Sequence, residues 1–241
     1  EVRIVRADGS SAPVLTDAAG HAAPDTVPLV LDAPLPAPAI REIVSPSLLG
    51  DIVTDAALLA PAGETLLDAD TARLRGIALH ALLQHLGRVP EAALDSVARS
   101  AAGNLLGERP DLAEAVAAQA LAILSDPALA PVFGPNSRAE VSFALDGMRE
   151  RTPIRLTGRI DRLVVAGDRV RVVDFKSDAA PPQEASQVPP AYAAQLALYR
   201  RVAQRLFPGK TVDAAILWTQ SRALMALPDM VLDRLAAPYI L

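Results

Sequence analysis

The sequence predicts an α/β domain: a central mixed sheet of about five strands, flanked by helices and preceded by a helical N-terminal part. Three observations carry this. Between 158 and 177 two β-branched runs flank Gly167-Asp168, the pattern of a tight hairpin. Between 70 and 124 alanine- and leucine-rich stretches repeat at helical spacing. After the hairpin, a helical stripe at 191–206 leads into an apolar run at 213–218, so helix and strand alternate.

At 241 residues the chain has room for one domain with a substantial core plus an extension. Its hydrophobic content of 51% against 21% charged residues is that of a globular protein. There are no cysteines, which removes disulfides, thiolate zinc sites and iron–sulfur clusters and fits a reducing, cytoplasmic setting. No apolar run approaches the ~18 residues of a membrane span, and the N-terminus lacks a secretory pattern. A net charge of −5 argues against a protein that coats DNA, because such binding rests on many Lys and Arg contacts to phosphate. Between Arg138 and Lys176, however, basic residues outnumber acidic ones. The first residue is Glu1, so a piece of a longer chain is expected.

Residues 1–67 read as a Pro/Ala-rich extension or interdomain linker, with prolines concentrated in 12–38 and irregular sequence at 58–67. Ser45-Pro46-Ser47 can cap a short turn. The main domain is expected over 68–241. Asp70 is a candidate N-cap for a helix to 86, with Leu74, Ile77, Ala78, Ala81, Leu82 and Leu86 as its apolar stripe. His80 lies within it, where spacing alone assigns no role. His85 is five residues on, which disfavours a paired zinc site. Helices at 91–106 and 111–124 follow, then a strand at 139–145 that opens near Glu140.

The hairpin strands, 154–165 and 169–176, are the most informative stretch. With Gly167-Asp168 as the loop, Asp161 stands opposite Asp174, and Lys176 shares their face. Opposed Cβ atoms lie about 4.5–5.5 Å apart, where like charges repel, and a divalent cation would offset this. Lysine is scarce, only Lys176 and Lys210 among many arginines, so a lysine here implies a need for a compact ammonium. Alone, an Asp-x-Lys tripeptide is common and on a solvated face means nothing. After a proline-containing loop at 179–190, the helix at 191–206 puts Tyr192, Gln195 and Tyr199 on one stripe, which suits either core packing or a polar groove. Strands at 213–218 and 223–227 and a helical tail from 229 complete the chain. Gly209-Lys210-Thr211 imitates the end of a phosphate-binding loop, but Gln204 stands where its first glycine is needed, so no ATP site is expected.

Four pieces, in order and at matching spacing, carry a resemblance: Arg75-Gly76-Ile77-Ala78-Leu79-His80, Gly158-Arg159-Ile160-Asp161-Arg162, Val173-Asp174-Phe175-Lys176-Ser177, and Tyr192 to Tyr199 with Gln195. Together they make the chain resemble the PD-(D/E)xK nuclease superfamily, and within it the RecB-like nuclease domain that ends AddA-type helicase–nucleases. The resemblance implies a restriction-endonuclease-like core over 68–241. It implies His80, Asp161, Asp174 and the Phe175 carbonyl as ligands of Mg²⁺ or Mn²⁺. It makes Asp161, Asp174, Lys176, Gln195 and Tyr199 the catalytic set, with Glu140 as an outer candidate. It further implies DNA as substrate, exonucleolytic cleavage in double-strand break repair, helicase domains in the same full-length chain, an AddB-type partner and no iron–sulfur cluster. A docking module that kept the fold without catalysis, and a free-standing RecB-like exonuclease, are the alternatives.

Overall fold

The structure, a computed structural model, describes residues 41–48 and 66–241. Every described residue belongs to one compact unit, Ile40–Leu241. Its elements run β1 (Glu42–Val44), α1 (Leu66–Leu86), α2 (Glu91–Leu105), α3 (Pro110–Leu124), α4 (Ala130–Phe133), β2 (Ser137–Arg149), β3 (Thr152–Ala166), β4 (Arg169–Lys176), α5 (Pro190–Leu206), β5 (Thr211–Trp218), β6 (Ala223–Ala226), α6 (Asp229–Ala236) and β7 (Tyr239–Ile240). The strands form one mixed sheet in the order β6-β5-β4-β3-β2-β7, with β1 joined separately to β3. The α/β fold is therefore as expected, with two more strands than the sequence reading counted. β1 and β7 are three and two residues long, too short to show an alternating period.

The hairpin forms as its turn chemistry requires. Gly167 takes φ +58°, which a β-carbon would disfavour, and Ala166 pairs with Arg169 across it. Beyond it β4 pairs in parallel with β5 through the crossover helix α5, the arrangement that needs a helix on one face. Both strands are buried on both faces. Val172 and Ile216 enter a core with Leu196, Tyr199 and Trp218, while Val173, Phe175 and Leu217 enter a second core with Leu79, Leu83, Val116 and Ile123. That is why these strands read as nearly continuous apolar runs.

The long strand β3 changes partner along its length. Its residues 154–156 pair with β1 and its residues 162–166 pair with β4, and among the described residues none pairs with 157–161 on that edge. On the other edge, β2 pairs with it on both sides of Glu140, which itself takes φ +54° and drops out of the ladder opposite Asp161. Among the described residues, Asp161 thus has no ladder partner on either side. Gly158 lies in the same gap, where an added Cβ would come 2.8 Å from the Phe143 ring.

Two expectations about α1 need correction. The helix begins at Leu66, so Asp70 lies inside it and is not its N-cap. The buried stripe is also rotated from the expected one: Leu79 and Leu83 are buried, whereas Leu74 and Ile77 are 43% and 58% exposed. A helix with apolar residues around most of its circumference does not reveal from periodicity which side meets the sheet. The helices α2, α3 and α5 and the strands of the hairpin match the expected spans within two residues. The expected extension, 1–67, falls outside the described residues except for 66–67, which belong to α1, and 41–48, where Glu42–Val44 joins the sheet and the Leu48 N–H closes a turn on the Ser45 carbonyl. The Gly209-Lys210-Thr211 segment is a turn from α5 into β5, with Gly209 at φ +84°. Among the described residues, no helix is long and apolar enough to cross a membrane.

Candidate active site

The C-terminal end of β4 meets the open stretch of β3, and the sequence-selected side chains converge there. The hairpin register is the expected one, but the ladder stops at Arg162–Val173, one pair short of the two aspartates. In place of a main-chain bond, the Phe175 N–H donates to Asp161 Oδ2 at 2.7 Å. The Asp161 side chain thereby holds the two strands together just where they part. From α1, His80 brings Nδ1 to 3.9 Å from the same Asp161 oxygen and Nε2 to 3.3 Å from the Phe175 carbonyl. Its ring meets the Phe175 ring edge-on at 5.4 Å.

Lys176 occupies the centre of the polar face. Its Nζ lies 2.9 Å from Asp174 Oδ2 and donates to Gln195 Oε1 at 2.8 Å. It also sits 4.4 Å from the centre of the Tyr192 ring, a cation–π contact. Gln195 Nε2 donates to the Tyr199 hydroxyl at 3.2 Å, which is in turn 2.9 Å from Ser47 Oγ. The stripe on α5 is therefore both core and site. Tyr192 and Tyr199 are buried in the apolar cluster, yet the polar ends of the stripe complete a chain from Asp174 through Lys176 and Gln195 to Tyr199. The Tyr192 hydroxyl donates to Asp178, 3.1 Å away. Glu140, opposite Asp161 on β2, joins none of these contacts and accepts instead from Arg159 Nη1 at 3.0 Å.

Electrostatics follow from this burial. Asp161 is pushed up to about 6, first by burial and then by the Asp174 charge, against the pull of His80, the Phe175 N–H and Lys176. Burial works against the Lys176 ammonium, but the Asp174 carboxylate, aided by Asp161, outweighs it and raises Lys176 above an ordinary lysine. It is a fixed cation. Burial, then Asp174, pushes the Tyr199 phenol up to about 12, so this group stays a neutral hydroxyl.

The profile of the PD-(D/E)XK nuclease superfamily matches residues 57–229. The chain belongs to this superfamily. No curated protein matches the chain. Among solved structures it is similar to the crystal structure of SSO0001, at 18% identity over 67% of this chain and 82% of that one, with a TM-score of 0.32.

Members of the PD-(D/E)XK superfamily usually hydrolyse phosphodiester bonds and generally use divalent metals such as Mg²⁺. The donors in this member fit a hard cation in kind: two carboxylates, a main-chain carbonyl and an imidazole, with one carboxylate made reluctant to ionise first by burial and then by the other. They are not drawn up as a finished cage. Among the described residues, no three His, Asp or Glu side chains form a ligating group. One oxygen of each carboxylate is engaged within the chain: Asp161 Oδ2 takes the Phe175 N–H and Asp174 Oδ2 takes the Lys176 ammonium.

Sequence reasoning missed the residues that hold Lys176 from behind. The Lys176 carbonyl accepts from the Thr219 N–H at 2.8 Å and is 3.2 Å from Thr219 Oγ1. The Thr219 carbonyl accepts from Gln119 Nε2 at 3.0 Å, and Gln119 Oε1 accepts from Arg75 Nη2 at 2.8 Å. A polar side chain on the apolar stripe of α3, between Val116 and Ile123, was the available signal. Nothing in the Ser45-Pro46-Ser47 turn pattern points Ser47 at Tyr199, 152 residues away.

Proposed function

We propose that this PD-(D/E)XK domain is a Mg²⁺- or Mn²⁺-dependent deoxyribonuclease. The observation that carries the reading is the clamp on Lys176: an ammonium held between Asp174 and Gln195, with the Asp161 carboxylate and the His80 imidazole next to the same strand end. His80, Asp161, Asp174 and the Phe175 carbonyl would hold the ion. When bound, such an ion lowers the pKa of water and offsets charge on a scissile phosphate.

The chain's own groups divide the remaining work. Lys176 stays charged, so it serves to orient water and to stabilise the negative charge that builds on the phosphate, rather than to take a proton. Gln195 fixes the ammonium in one direction, because its amide is itself anchored by Tyr199. Asp161, with its strained charge balance, gains most from a cation. His80 ties α1 to the strand ends and so sets the distance between helix and acid pair.

The finer reading is exonucleolytic cleavage of single strands delivered by helicase domains of the same full-length chain, with an AddB-type partner, in double-strand break repair by recombination. It is supported by the four motif pieces, which match that branch in order and spacing. A second reading, a docking module that kept the fold, draws on the absence of a finished cage among the described residues. One experiment separates them. End-labelled single- and double-stranded DNA is incubated with the wild-type chain and with Asp174→Asn, in Mg²⁺, Mn²⁺ or chelator. Cleavage that needs both the metal and Asp174 supports the nuclease; no cleavage under any condition supports the docking module.

A further inference from the structure

The opposite side of β3 holds a second charged cluster that cleavage does not use. Alternation along the strand turns Arg162, the neighbour of Asp161, to the other face, where it is 2% exposed. Its Nη2 donates to the Leu83 carbonyl near the end of α1, its Nη1 is 3.5 Å from Ser137 Oγ, and its guanidinium lies 4.9 Å from the centre of the Phe133 ring. All these partners are neutral. Its Nε, fully buried, has no partner. Among the described residues, no carboxylate forms an ion pair with it; Glu140 and Asp161 act on it only at longer range.

A cavity of about 390 Å³ opens beside this guanidinium. Arg88 and Arg138 line it with Arg162, and no acidic residue does. Arg88 stands close enough to Arg162 to oppose its charge. Arg138 donates only to the Pro135 and Ser137 carbonyls, both at 3.2 Å. The third feature is Gly87, where a Cβ would come 3.0 Å from Arg162 Nη2; glycine leaves the guanidinium its room. The buried Arg162 guanidinium, with one donor unused and two exposed arginines beside the same cavity, leaves positive charge uncompensated that a multivalent oxyanion would offset. Guanidinium forks match phosphate oxygens in geometry.

One helix links the cavity to the acid pair: His80 of α1 touches Asp161 and Phe175, the Leu83 carbonyl three residues on, a rise of ~4.5 Å, touches Arg162, and Gly87 just past the helix end lines the cavity. Two carboxylates repel a nucleic-acid backbone, so a basic pocket elsewhere along the same strand and helix supplies the attraction they lack. We propose that the pocket of Arg88, Arg138 and Arg162 holds a non-scissile phosphate of the nucleic-acid strand being cut. The proposal rests on the nuclease reading for its ligand, but its test does not depend on cleavage.

Binding of a short fluorescein-labelled single-stranded deoxyoligonucleotide is measured by anisotropy across a salt series, in chelator, for the wild-type chain and for the double variant Arg88→Ala with Arg138→Ala. Both arginines are exposed, so the fold should survive; if the double variant unfolds, Arg88→Gln and Arg138→Gln singly carry the same comparison. The expected result is a loss of binding on the order of ten-fold, with the slope of log K against log salt shallower by about 0.7 for each phosphate contact removed. Arg205→Ala, exposed and outside the pocket, should bind as the wild type does. Unchanged affinity and slope in the pocket variants overturns the proposal, as does an equal loss in Arg205→Ala or a wild type that binds no oligonucleotide. Failure of the nuclease reading looks different: a wild type that binds through the pocket but never cuts in Mg²⁺ or Mn²⁺ leaves the pocket standing.

Discussion

At the scale of single residues, the decisive group is Lys176, because its position is over-determined. Asp174, Gln195 and the Tyr192 ring hold its ammonium, and Thr219 holds its main chain. Lys176→Met removes the charge while keeping the side-chain length. Cleavage should fall by roughly 10²–10³-fold or more, the cost of losing one preorganised stabiliser of developing charge. The far-ultraviolet circular dichroism spectrum should be unchanged, and retained metal-dependent cleavage would remove Lys176 from the proposed mechanism. Gln195 works differently, by positioning. In Gln195→Ala the Tyr199 hydroxyl and the Lys176 ammonium each lose a buried partner, so stability should drop by about 1–3 kcal/mol as well as activity. Urea denaturation of this variant beside Lys176→Met separates the two roles: a Gln195→Ala chain as stable as the wild type would mean that the amide positions nothing.

At the scale of elements, what the sequence showed and what it hid have physical reasons. The hairpin was legible because turn chemistry and a strict period of two fix register locally; Ala166–Arg169 through Arg162–Val173 pair as Gly167-Asp168 dictates. Asp161, Asp174 and Lys176 therefore fall on one face by turn position and alternation alone. His80 cannot be placed this way, since the helix that carries it meets the sheet through tertiary packing, and its stripe was misjudged by the choice of Leu74 and Ile77 over Leu79 and Leu83. Thr219 and Gln119 were hidden because their partners lie 43 and 100 residues away. The shortest strands were hidden by their length, and β7 offers a test of how edges are held. A Cβ at Gly147 would lie 2.5 Å from the Ile240 carbonyl, so Gly147→Ala must displace β7. Amide exchange at Tyr239 and Ile240 should speed up while cleavage is unaffected, because β2 and β3 separate β7 from β4. Protection that persists in the variant would show that the edge relaxes without detaching.

At the scale of the whole molecule, the buried acid pair makes stability and ion binding one question. Folding brings Asp161 and Asp174 into a poorly hydrated corner where burial and mutual repulsion both oppose ionisation of Asp161, and Lys176 with His80 offsets this only in part. A divalent ion that binds the folded chain and not the unfolded one must stabilise it by mass action, by about 2.7 kcal/mol at a concentration one hundred times its dissociation constant. For a domain of this size that corresponds to roughly 2–4 °C in melting temperature for each kcal/mol. Thermal unfolding of the wild-type chain should therefore shift upward with added Mn²⁺ or Mg²⁺ and return with chelator. Asp174→Asn should lose most of the shift, because a neutral amide neither repels Asp161 nor supplies a charged ligand. The comparison is informative even if no DNA is ever cut. A shift that is equal in both chains would place the ion elsewhere on a molecule of net charge −5, and the absence of a shift in the wild type would favour the docking module over the nuclease.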